Sequence, residues 1–119
     1  MNLDDFEAGC AAIREAAGQR AQDVTQDDVY RAGWLLTDAA RSLIQLAGDL
    51  RTKVGAYPGR YVLRDDEGTD PAVRITQAVT ELDALTRAFA AAEQHAAAFH
   101  SAFSHIAVDV DPDAEQATQ

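Results

Sequence analysis

The chain has 119 residues, enough for one domain with a modest core. Its net charge of −10 argues against docking on nucleic-acid phosphates or on an anionic membrane. No apolar run reaches the length of a membrane span, and the single cysteine, Cys10, excludes an internal disulfide. Arginine outnumbers lysine nine to one and alanine is abundant, a usage typical of GC-rich genomes. The N-terminus, Met1 to Asp5, is acidic and lacks the positive-then-apolar layout of a secretory signal, so cytoplasmic residence is the expectation.

Three helices are predicted. The first runs from about Leu3 to Gln19, with Asn2 as cap and Asp4, Asp5 and Glu7 placed against the positive end of the helix dipole. Leu3, Phe6, Cys10, Ile13 and Ala17 form its apolar stripe, and the Cys10 thiol on that stripe is expected to be buried. The second helix is predicted from Gln26 to Val54. Thr25 and Asp28 spell a capping box with Asp in place of Glu. Its stripe is Val29, Gly33, Leu36, Ala40, Leu43, Ala47, Leu50 and Val54, widened by Tyr30, Leu35, Ile44 and Leu46. Small and large residues alternate along it. That alternation predicts two helix backbones in close approach, with Phe89, Phe99 and Phe103 of the next helix as knobs.

The third helix opens at Asp70-Pro71 and is predicted to reach about Val108. Ile75, Ala78, Leu82, Leu85, Phe89, Ala92, Ala96, Phe99, Phe103 and Ile106 follow alternating steps of three and four, which sets all ten on one face. The expected fold is all-α: a long antiparallel helical hairpin plus a short N-terminal helix, a three-helix bundle completed by oligomerisation. Residues 1–108 form one helical domain. Residues 109–119 have the composition of an acidic, unfolded tail.

Between the long helices, Gly55 to Thr69 is the least helical stretch, with turn signals at Pro58-Gly59 and at Gly68. Arg60 to Arg64 reads as a short extended segment. Tyr57, Arg60, Tyr61 and Arg64 concentrate residue types that dominate interface hot spots. They are the candidate partner-binding residues, against the alternative that the tyrosines only cap the end of the hairpin. Tyr61 to Asp65 spells Tyr-x-x-x-Asp, a pattern of substrates of the route that exports small Trp-x-Gly helical hairpins. It falls here in a loop, and Trp34 follows Gly33 within a helix, so both are read as chance.

The remaining motifs fail on geometry. His95, His100 and His105 recur every five residues and splay around the helix, so they do not share a metal. Glu93 and His100 flank the stripe without the Glu-x-x-His ligand set of bundle metal sites, which points to a polar contact between helices or subunits. Neither Asp65 to Asp70 nor Asp109 to Asp113 fits a calcium loop: in the first the glycine comes fourth instead of sixth, and in the second Pro112 and Ala114 disrupt the pattern. No catalytic, cofactor-binding or metal-binding residue is predicted, and no cofactor.

The expectation is therefore a non-enzymatic interaction or adaptor protein. It forms a homodimer through Phe89, Ala92, Ala96, Phe99 and Phe103 and binds a protein partner, without contacting nucleic acid directly or membrane. The alternatives are an acidic nucleic-acid mimic that inhibits a DNA-binding protein, and a small helical enzyme whose site the sequence does not display.

Overall fold

A computed structural model describes residues 1–109. The described residues are all-α: α1 (Leu3–Ala17), α2 (Gln26–Gly55), the single turn α3 (Tyr57–Arg60) and α4 (Pro71–Phe103). A 3-10 turn over Ala21–Asp23 links α1 to α2. Of the expected tail only Asp109 is described. The rest lies outside the described residues.

The caps sit where the sequence put them. The Asn2 side chain accepts from the Asp5 N–H at 3.0 Å. Thr25 and Asp28 exchange two bonds of 3.1 Å in a complete capping box, and Asp70 accepts from the Ala72 N–H at 3.0 Å. Each satisfies a donor that the helix itself leaves free. The other ends differ from expectation. α1 stops at Ala17, with Gly18 as its C-cap, short of Gln19, and α4 stops at Phe103, short of Val108. Ile106 is 55% exposed.

α2 and α4 form the antiparallel hairpin. Their register is fixed by Arg41 donating to Glu93 at 3.2 Å and Arg51 donating to Asp83 at 3.1 Å. The close approach predicted from the small residues of α2 is present. Gly33, Ala40 and Ala47 are the buried residues of that helix. A Cβ on Gly33 would lie 2.9 Å from the His100 Cβ and 3.1 Å from its Cα, so only glycine admits the α4 backbone there.

Two expectations are corrected. The face of α4 that meets α2 is rotated from the predicted stripe. Ile75, Leu82, Phe89, Ala96 and Phe103 are half-buried as expected, but Ala78, Leu85, Ala92 and Phe99 are exposed. Val79, Thr86, Glu93 and His100, all half-buried, take their places. The small residues Gly33, Ala40 and Ala47 bring α4 near enough for this further row to come into contact as well, which turns the contact face toward it.

The first helix is the second correction. No Cα of α1 comes within 8 Å of a Cα in another helix, and none of its residues is buried. Leu3 and Ile13 are 63% and 64% exposed, and Cys10 is half-buried, not enclosed. The hairpin and the short helix are both present, but among the described residues they are not packed into a three-helix bundle. A stripe of five apolar residues, two of them Cys and Ala, offers little area to offset the ordering of an eight-residue linker.

Candidate functional site

The closed end of the hairpin is built from the α2–α4 connection. α3 continues the path of α2, with Pro58 at the start of its turn, where a missing N–H costs nothing. The extended segment expected from Arg60 begins only at Tyr61. The turn sets Tyr57 and Tyr61 one above the other, ring centroids 5.1 Å apart and edge-on at 67°. Tyr57 is half-buried and Tyr61 exposed, as are Arg60 and Arg64. The structure thus brings the four predicted residues together at one end. It gives Tyr57 a share in lidding the hairpin and leaves the other three free. Val62 between them is fully exposed.

The connection is ordered by Asp65, whose side chain is only 7% exposed. Its Oδ2 accepts from the Glu67 N–H at 2.9 Å and the Thr69 N–H at 3.0 Å, and its Oδ1 takes the Arg74 guanidinium at 2.9 Å. The Thr69 N–H first, and then Arg74 and the Glu67 N–H, hold its carboxyl below the ordinary value of 3.8 against the opposing effect of burial. Arg74 also reaches Glu67 at 3.1 Å. Gly68, at φ +80°, occupies the left-handed region that closes the turn. The acidic run is thus a loop fastened to the start of α4, and Asp65 of the Tyr-x-x-x-Asp pattern is taken up in that fastening.

The five residues expected to drive self-association divide into two groups. Phe89, Ala96 and Phe103 belong to the seam with α2. Ala92 lies outside it, and Phe99 lies at its edge, its Cδ1 3.1 Å from where a Cβ on Gly33 would stand. Phe99 is 42% exposed and stacks on Phe103 at 6.2 Å. The side of the hairpin on which they lie also carries Leu36 of α2, 57% exposed, and Leu85 of α4.

The opposite side carries the ion pairs. Glu93 makes a polar contact between the helices, with Arg41, whereas His100 meets the Tyr30 ring at 4.7 Å. A shallow cleft of about 200 Å³ between Trp34, Asp38, Arg41 and His100 opens here. The His100 Nε2 is buried without a hydrogen-bond partner. Tyr30 and Leu35, expected to widen the core face of α2, are exposed, as is Trp34. His95 and His105 are exposed and share nothing with His100. Among the described residues no group of three or more His, Cys, Asp or Glu side chains is placed to hold a metal ion. No helix among them is long and apolar enough to cross a membrane.

Comparison of the chain with protein-family models, with curated proteins and with solved structures finds no match.

Proposed function

We propose that the protein is a non-enzymatic helical adaptor that works as a homodimer and binds a protein partner. One observation carries the reading: large apolar side chains stand in solvent on the hairpin, Leu36, Leu85 and Phe99 on one side and Tyr30 and Trp34 on the other, while the buried hydrophobic core of the described residues is Ala40 and Ala47 alone. Exposed apolar area of this extent marks association surfaces. Covering it with a second copy supplies the core that one hairpin lacks. The exposed Tyr61, Arg60 and Arg64 at the closed end lie off those sides, so a dimer keeps them free for a partner. The unpaired thiol of Cys10 accords with residence in the cytoplasm.

Light scattering across micromolar concentrations tests the dimer. A mass of two chains is expected, and a single chain throughout overturns the reading. The double substitution Tyr61→Ala and Arg64→Ala tests the partner surface. Binding of the partner identified with the unaltered chain is expected to be lost at unchanged melting temperature. A fall in melting temperature with binding intact would make the closed end a lid.

A further inference from the structure

We infer that the second copy docks along α4, antiparallel to its twin, about a two-fold axis at Ala88. The inference rests on the homodimer reading and specifies its geometry. α4 carries two heptad seams. The first meets α2. The second holds Ala78, Leu85, Ala92 and Phe99, flanked by Glu81, Ala88 and His95, and all seven are exposed. At 100° per residue the two seams lie about 100° apart around the helix. A helix in a four-helix bundle meets its two neighbours at close to that angle. α2 carries a matching strip, Leu36, Leu43 and Leu50 beside Ala39 and Leu46, on the side of the hairpin away from the Arg41–Glu93 and Arg51–Asp83 pairs.

The second seam of α4 is complementary to its own reverse. Run antiparallel, Phe99 of one copy falls level with Ala78 of the other, and Leu85 with Ala92, so a large side chain meets a small one in every layer. An isologous interface requires this reciprocity. The axis of that match lies beside Ala88. Glu81 and His95 are equally far from Ala88, so each carboxylate meets an imidazole of the second copy, twice per dimer. Sliding one helix by about half a heptad in either direction sets Phe99 against Glu81 or Arg74, a buried charge against a ring.

The hairpin register places Ala88 level with Leu46 of α2. On the α2 strip Leu46 itself stands at that level and meets its own twin, with Leu43 and Leu50 three and four residues to either side. Both helices therefore point to one axis. α1 is a poorer occupant. Its 15 residues span about 22 Å, against about 32 Å for the seam from Ala78 to Phe99, and it is one helix wide where the face is two.

An axis residue meets itself, which gives a direct test. In a Cys10→Ser background, Ala88→Cys is expected to form a disulfide-linked dimer on mild oxidation. Arg87→Cys, on the far face of α4, is expected to stay monomeric on a non-reducing gel. Both positions are exposed, so folding is not at stake. Glu81→Lys should weaken the dimer on the order of tenfold, and adding His95→Glu should restore it. A dimer that fails to cross-link at Ala88 and ignores Glu81→Lys overturns this geometry while leaving self-association standing. A monomer overturns both.

Discussion

The two seams of α4 differ in what they meet. The seam packed on α2 mixes Ile75, Leu82, Phe89 and Phe103 with Thr86, Glu93 and His100, whereas the one left in solvent includes Leu85 and Phe99. Closeness of approach, as well as side-chain hydrophobicity, marks the seam that is sealed. Gly33, Ala40 and Ala47 let the backbones come near. At that distance Thr86 can turn its hydroxyl to the Leu82 carbonyl at 2.9 Å, and Glu93 can cross the seam to Arg41. Leu85 and Phe99 stay on the flank. The hairpin is thus held by contact and shape, and its apolar area remains available for association.

The sharpest way to break this comparison is to make the same substitution in both seams. Ala47 is 2% exposed, so Ala47→Leu overpacks the sealed seam and should lower stability by about 1–3 kcal/mol. Ala92 is exposed, and Ala92→Leu should change the melting of the dissociated chain by less than about 0.5 kcal/mol. It should instead weaken the dimer, because it faces Leu85 of the second copy. Thermal melts at low concentration and light scattering at high concentration separate the two. Equal losses of stability would mean that both seams are alike and that closeness is not what distinguishes them.

The sequence carried the caps, which depend on residues within one turn of one another, and the three helices and the close-packed character of α2, which show in the periodicity of a single helix. It did not carry the rotation of α4. Its apolar positions are wide enough to supply two seams, and hydrophobic pattern alone assigns Ala78, Leu85, Ala92 and Phe99 to the inner one. What turns the contact toward Val79, Thr86, Glu93 and His100 is the partner helix, whose glycine and alanines let the backbones come near. The undocked α1 was equally illegible: its stripe is regular, and periodicity does not say whether the area suffices to dock. The candidate loop residues were legible as types, but their division into lid and free surface depends on the one-turn α3.

A finer test uses two glycines of α2. Alanine is favoured over glycine in a helix by about 1 kcal/mol. At Gly48 a Cβ meets nothing within 4 Å, so Gly48→Ala should stabilise by about 0.5–1 kcal/mol. At Gly33 the new Cβ meets the Cα and Cβ of His100, which belong to a helix and cannot swing aside. Gly33→Ala should therefore destabilise by about 1 kcal/mol net of the propensity gain. Denaturant midpoints give the sign directly. Stabilisation at both positions would show that the hairpin relaxes apart at Gly33 and that the close approach is not held.

The smallest effect is confined to the closed end and tests whether that end is ordered independently of the seams. The Asp65 carboxyl is held below its ordinary value of 3.8 by the Thr69 N–H foremost, with Arg74 and the Glu67 N–H assisting. A carboxyl lowered in the folded state stabilises it above the unfolded value, and that contribution disappears as pH falls through the folded one. The loop fastening should therefore persist at neutral pH and release only below 3.8. In an NMR titration, the amide signals of Thr69 and Glu67 should move together in that acid range, while the amide of Ala47 stays in place. Asp65→Asn should abolish the titration at both amides and increase their exchange at neutral pH, with the melting of the hairpin unchanged. If Ala47 titrates in step with Thr69, the loop is coupled to the seam, and the closed end is part of the packed hairpin and not a separately fastened surface.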